Sequence, residues 1–319
     1  MPMTIAWIRN FRSLRDFGSL AWGLALLLVA GCGGPRSAPE LVWGTRGVQN
    51  GQLVKPRAIA IDKEDRLYLV DWTARIQRFD TDGNYQKDMT WTPPSWNNGR
   101  PSGLSIHPDG NLIVSDSHYS TIRIYSPESK LLRSIGGKNG TAPGELSYIS
   151  DVVCDKESNF YVAEFGENQR ITKLDPDGKF ITCWGEPGSE PGQFARIRAL
   201  AFGPDGNLYA ADACNHRIQV FTTDGKLVRI FGSSGKEPGE LSYPYDIAFP
   251  MGQAEHLYVM EYGNQRVQKF TLEGKSLGTW GRPGREPGRL SSPWALAVDR
   301  LGRVHVVDSE NHRVQRIRF

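Results

Sequence analysis

Three histidines stand where they could do chemistry. His118, His216 and His312 each follow an acid-terminated apolar run, in alternate members of six internal repeats. Alternate units of a six-membered ring are about 120° apart, so three imidazoles could face one axis, and Zn²⁺ accepts such a set. The bland reading is a loop histidine of the repeat, as in Asn215-His216-Arg217 and Asn311-His312-Arg313. On that reading no metal or other cofactor is expected, and zinc or calcium at these three positions is the alternative. A second constellation is a ring of acids, Asp71, Asp116, Glu164, Asp212, Glu261 and Asp308, with Arg75, Arg170, Arg217, Arg266 and Arg313 downstream. Repetition in every unit argues for folding, because an acid placed four to six residues before an arginine can hold the loop and pair with it.

Residues that differ between repeats are better candidates for recognition. Arg57, Ser102, Asp151, Arg198, Tyr245, Asp246 and Trp294 all lead into the first strand of a repeat, and Trp72, Tyr119, Phe165 and Tyr262 lie in the neighbouring loops. Aromatic side chains with arginine are the usual anchors of recognition surfaces. No nucleophile motif, phosphate-binding glycine loop or paired-cysteine metal motif is visible, so no catalytic residue is assigned. Turns such as Asp80-Thr81-Asp82-Gly83 and Asp175-Pro176-Asp177-Gly178 resemble calcium loops but lack the longer ligand series, and hairpin turn chemistry explains them.

The elements that must position these residues follow from the repeat itself. A Pro-Gly pair followed by Glu, Gln or Arg and then Leu or Phe starts at Pro143, Pro191, Pro238 and Pro287, with a weaker copy at Asn50-Gly51-Gln52-Leu53. Each copy leads into a short apolar strand (58–62, 103–107, 151–155, 199–203, 246–249, 295–299). A strand ending in the acid follows, then one starting at or near the arginine, then one closing on Gly136, Gly185, Gly232 or Gly281. Units of about four short strands with tight turns at this period predict an all-β fold, a six-bladed β-propeller with four antiparallel strands per blade. The sixth unit reaches only its third strand at Phe319, and Glu40-Leu41-Val42-Trp43-Gly44 matches the missing fourth. The N-terminal strand is therefore expected to close the last blade and leave no unpaired edge.

The first residues differ in kind. Arg9, Arg12 and Arg15 precede an apolar core, Leu20 to Ala30. Such a core spans about 16 Å as a helix, half a bilayer, and predicts an export signal over 1–31. Val29-Ala30-Gly31-Cys32 resembles the lipobox of bacterial lipoproteins, which implies cleavage before Cys32 and lipidation of its thiol. Residues 32–39 would then be the lipidated cysteine and a flexible tether, and 40–319 the propeller. The expected location is the periplasmic or cell-surface side of a membrane. Gly33 is not the aspartate that retains lipoproteins in the inner membrane of enteric bacteria, which leans to the outer membrane in a cell that has one and leaves the choice of membrane open. Loss of 1–31 removes three arginines and one aspartate from 38 basic and 35 acidic residues, leaving 35 and 34, net +1. That balance offers no electrostatic footprint for nucleic acid. With Cys32 lipidated three cysteines remain, an odd number, with Cys154 on an innermost and Cys183 on an outermost strand, too far apart for a disulfide.

The runs Ala210 to Phe221 and Val307 to Gln315, with the Pro-Gly-Gln-Phe lead-in, resemble the NHL repeat, and the resemblance extends over 40–319. It is weakest at Trp72-Thr73-Ala74 and at Thr121, where other repeats carry arginine. The peptide-amidating lyase domain has a related six-bladed fold with a histidine-bound zinc, which is what the resemblance adds to the three-histidine alternative. NHL propellers of ubiquitin-ligase proteins bind RNA or protein, but this chain has no RING-type module. The expected function is a membrane-anchored, non-enzymatic module binding a protein, peptide or glycan through its loop face. The alternative is a metal-assisted lyase or hydrolase with its site at the channel mouth.

Overall fold

The computed structural model describes residues 38–91, 101–252 and 255–319. The expected export signal over 1–31, Cys32 and most of the expected tether lie outside these residues.

Six four-stranded antiparallel sheets form the blades. In chain order they are β2–β5 (Ala58–Ile61, Leu67–Val70, Ile76–Phe79, Tyr85–Trp91), β6–β9 (Pro101–Ile106, Leu112–Asp116, Thr121–Tyr125, Leu131–Gly136) and β10–β13 (Ile149–Cys154, Phe160–Glu164, Ile171–Leu174, Phe180–Trp184). Then come β14–β17 (Ile197–Phe202, Leu208–Asp212, Arg217–Phe221, Leu227–Phe231) and β18–β21 (Pro244–Ala248, His256–Glu261, Arg266–Thr271, Ser276–Trp280). The sixth blade is β22–β24 (Pro293–Val298, Val304–Asp308, Arg313–Ile317) completed by β1 (Leu41–Trp43). β1 pairs antiparallel with β24, Trp43 opposite Val314, so the expected closure is present. The innermost strands β2, β6, β10, β14, β18 and β22 touch in that order, and β22 returns to β2.

The core is not in the middle of the ring but between blades. Each of six apolar clusters draws on two adjacent blades; the one closing the ring joins Trp43, Val307 and Val314 to Ile59, Leu69 and Phe79. Strands buried on both faces are why the first two strands of each repeat are apolar at nearly every position. Small residues on the innermost strands (Ala58, Ala60, Gly103, Ala199, Ala295, Ala297) let six of them converge on one axis.

The repeat signature is a rivet between outer strand, lead-in and acid. In the fourth blade, buried Asp212 accepts from the Ala195 amide at 2.8 Å, Asn215 Nδ2 at 2.8 Å and Arg217 Nε at 2.9 Å. Arg217 also donates to the Ser189, Glu190 and Gln193 carbonyls of the Pro-Gly lead-in. Gln219 clamps the same turn, accepting from Gly192 N and donating to Gln193 O. The pattern repeats at Glu164–Arg170, Glu261–Arg266 and Asp308–Arg313. Where Thr121 replaces arginine, Arg123, the next residue on the same strand face, reaches Asp116 at 3.4 Å. The acid ring is thus structural. Glycine is required where the outer strand meets the lead-in: Gly185 has φ +97°, and a Cβ there would lie 2.5 Å from the Phe194 ring. Cys154, Cys183 and Cys214 are free thiols.

Candidate functional site

The loops after the second strands and the Pro-Gly lead-ins share one face, and the Asp-Gly turns lie on the other. On the loop face each innermost strand except β2 begins with an irregularity in its pairing, at Ser102, Ser150, Arg198, Tyr245 and Trp294 or beside them. Arg57 holds the equivalent place before β2. Bulges there turn side chains out of the sheet toward the axis. A cavity of about 360 Å³ runs down that axis, lined at its mouth by Arg57, Ser102, Ser150, Asp151, Arg198, Tyr245, Asp246 and Trp294, and deeper by Ile61, Ile106, Cys154, Phe202 and Phe249.

The mouth is lopsided. In the second and third blades the bulge residue is a serine whose hydroxyl donates to the next blade: Ser102 Oγ to Ile149 O at 3.0 Å, Ser150 Oγ to Ile197 O at 2.8 Å. Around the remaining blades the same positions form a stacked arc. The Arg198 guanidinium lies 4.7 Å from the Tyr245 ring and 5.1 Å from the Trp294 ring. Tyr245 meets Trp294 edge-on at 5.8 Å and stacks on Tyr262 at 4.5 Å. Arg57 lies 5.5 Å from Trp294 and 3.8 Å from Trp72. Two blades make their part of the mouth small and hydroxylated, and the other four make theirs aromatic and cationic.

Two carboxyls sit inside this arrangement. Asp151 Oδ2 accepts from Leu200 N of the next blade at 2.9 Å, and Asp246 Oδ2 from Leu296 N at 2.9 Å, with Asp246 Oδ1 on Ile247 N at 2.8 Å. Gly103 leaves the room that Asp151 uses: a Cβ there would come within 2.6 Å of its Oδ1. Burial pushes Asp151 up to about 7, against the Leu200 and Val152 amides and the Arg198 charge. Burial likewise lifts Asp246 to about 8, with the Asp151 charge adding to it. Burial also lowers Arg198 from the ordinary arginine value.

Of the residues singled out from sequence, Arg57, Trp72, Asp151, Arg198, Tyr245, Asp246, Tyr262 and Trp294 come together at the mouth. Phe165 and Tyr119 stand apart from the arc. Phe165 stacks on Tyr148 at 5.5 Å with Arg196 at 5.7 Å, and Tyr119 packs on His118 at 4.7 Å. Trp72, Phe165 and Tyr262 occupy one repeat position, immediately after the acid, in the first, third and fifth blades; Ser117, Ala213 and Ser309 fill it in the others. Sequence reading missed Tyr148, Arg196 and Tyr243, which rim the loop face in left-handed backbone conformation (φ 47°, 66° and 49°). Tyr148 and Tyr243 are 50% and 41% exposed, so the aromatic rim is wider than the mouth.

The histidines do not form a set. His216 and His312 lie four residues after their acids, and each Nδ1 accepts a backbone amide across a blade seam, from Tyr243 N at 3.1 Å and Lys55 N at 3.0 Å. His118 lies only two residues after Asp116, where Cys214 stands in the fourth blade. Among the described residues no three His, Cys, Asp or Glu side chains gather as a metal site. The residues present therefore do not fit a three-histidine zinc.

Comparison with known proteins agrees with this architecture. The NHL repeat family matches residues 194–221 and 290–317. A mouse peptidyl-glycine alpha-amidating monooxygenase is 37% identical over 127 residues, 37% of this chain and 13% of that protein. A Xenopus laevis relative of the same name is 35% identical over 126 residues, covering 14% of its length. The chain thus matches only a small part of these relatives. Among solved structures, a gluconolactonase from Xanthomonas campestris superposes with TM-score 0.64 at 14% identity, over 84% of this chain and 87% of that one. An auxiliary nutrient binding protein from Bacteroides thetaiotaomicron gives 0.64 at 13%, over 83% and 69%, and a streptogramin B lyase 0.59 at 12%, over 85% and 95%. At such identities these likenesses speak for the fold alone. With the matched repeats and the closed ring of six blades, the chain is a six-bladed β-propeller that carries NHL repeats at 194–221 and 290–317.

Proposed function

We propose that this propeller is a non-enzymatic binding module that takes a protein, peptide or glycan partner on its loop face, across the axial mouth. The observation that carries the reading is the asymmetry of one repeat position. Serines at Ser102 and Ser150 give way to the arc of Arg198, Tyr245, Trp294 and Arg57. The rivets around it repeat in most blades, as scaffolding should, whereas the mouth breaks the repeat, as a site should. Stacked aromatic and guanidinium groups also offer contact area whose conformational entropy is already spent. The nutrient binding propeller among the structural neighbours is compatible with such a role.

The test is a survey of peptide and glycan arrays with the purified protein, repeated with Trp294→Ala and Tyr245→Ala. Partners bound through the mouth should lose about 2 kcal/mol, or roughly thirtyfold in affinity, with either variant. Partners held equally well by both variants would place binding elsewhere. The proposed module is carried on a membrane by a lipid at Cys32. Cells fed labelled fatty acid should label the protein, and Cys32→Ser should abolish the label; a labelled Cys32→Ser variant would remove the anchor.

A further inference from the structure

We infer that Arg198 anchors a subsite for a carboxylate group of the ligand, at the point where the stacked arc meets the axial cavity. The inference deepens the reading of the mouth as a binding site and rests on it.

The argument starts from what Arg198 lacks. Every rivet arginine on this face is saturated: Arg75, Arg170, Arg217, Arg266 and Arg313 each hold a carboxylate and lead-in carbonyls. Arg198 lines the cavity, its Nε is buried without a hydrogen-bond partner, and among the described residues it has no ion pair. Arg198 is half-buried with its Nε fully withdrawn from water, and a cation held unpaired in this way is costly unless a ligand supplies the counter-charge. The two acids nearest by charge do not supply it. Asp151 Oδ2 and Asp246 Oδ2 accept the amides of Leu200 and Leu296, which stitches neighbouring blades, and Asp246 Oδ1 accepts the Ile247 amide of its own strand. Tyr245 and Trp294 hold the guanidinium over their rings, and the fork of N–H donors on a guanidinium matches a planar two-oxygen group.

The surroundings make such a site depend on pH. The groups facing it are Asp151 from β10, Asp246 from β18, Arg57 before β2, Arg196 before β14, and the Tyr245 hydroxyl. With both acids protonated, as burial favours up to about 7 for Asp151 and about 8 for Asp246, the mouth is cationic and attracts an incoming anion. Above those values both acids ionise, offset the Arg57 and Arg198 charges, and repel it. Carboxylate binding therefore takes up protons and weakens as pH rises from 6 to 9.

The probe is benzoate, a carboxylate on an aromatic ring, with benzamide as its neutral isostere, titrated into the purified protein by isothermal calorimetry. Benzoate should bind saturably at pH 6 and at least about tenfold more weakly at pH 9, with benzamide at least about tenfold weaker than benzoate at pH 6. Arg198→Gln should abolish benzoate binding, Arg198→Lys should weaken it about tenfold by losing the planar fork, and Asp246→Asn should flatten the pH dependence. The lysine variant keeps the charge and stem, so it carries the test if the glutamine variant does not fold. Equal binding of benzamide, undiminished binding by either Arg198 variant, or no saturable benzoate binding would overturn the subsite. Array partners still sensitive to Trp294→Ala would then leave the binding face standing; partners insensitive to it would remove both.

Discussion

Deleting Glu40 to Trp43 is expected to leave a chain that no longer melts as one cooperative unit and that self-associates. Three causes act together. The deletion strips β24 of its partner, exposing a row of N–H and C=O groups, a template for pairing between chains. It removes Trp43, which is only 9% exposed and packs on Phe79 at a centroid distance of 4.8 Å, from the cluster joining the sixth blade to the first. It also cuts the ties of Glu40 to Arg316 and Arg318. The single change Trp43→Ala isolates the packing part and should cost about 3–5 kcal/mol, the usual toll for emptying a large aromatic site. Urea unfolding followed by circular dichroism, with light scattering for the deletion, checks both. A cooperative, monomeric deletion variant would mean that the sixth blade is stable with three strands.

Asp212→Ala is expected to destabilise the fold by about 3–5 kcal/mol, although Asp212 touches neither the cavity nor the arc. The carboxylate is fully buried and holds Ala195 N, Asn215, Arg217 and Gln219. Removing it strands the guanidinium charge and an amide in a site that water does not easily reach, and leaving such groups unpaired costs more than the pair contributes. The double variant Asp212→Ala, Arg217→Met should recover part of the loss, because an apolar pair of similar volume carries no orphaned charge. Urea midpoints of the two variants decide it. A single variant within about 1 kcal/mol of the parent would mean that the rivets are ornamental.

Much of this was legible before any coordinates. A repeat with the same acid, asparagine, arginine and glutamine at fixed offsets specifies blade, register and loop face at once. Even Trp43 could be assigned to the last blade by matching it to Trp280 and Phe231. The mouth residues were legible because they break the pattern. What could not be read was where side chains spend their hydrogen bonds across seams. Asp151 and Asp246 bond amides some fifty residues ahead, in the next blade, and no local pattern announces that pairing. Tyr148 and Tyr243 were missed because nothing in their identity announces a left-handed backbone; the conformation is imposed by the lead-in fold. The histidines were readable from spacing alone: counting from the acid puts His118 out of step with His216 and His312, in keeping with the reading of these residues as loop histidines of the repeat.

The direction in which β1 enters the ring has a bearing on how the molecule would be carried. β1 runs toward the loop face, so the chain reaches Glu40 on the side of the Asp-Gly turns, where Arg316 bonds both Thr81 O and Asp82. A leash attached there pulls from the back of the disc. Residues 32–39 extend at most about 28 Å. With the proposed lipid at Cys32, the tether would join the propeller on the side of the Asp-Gly turns, away from the mouth.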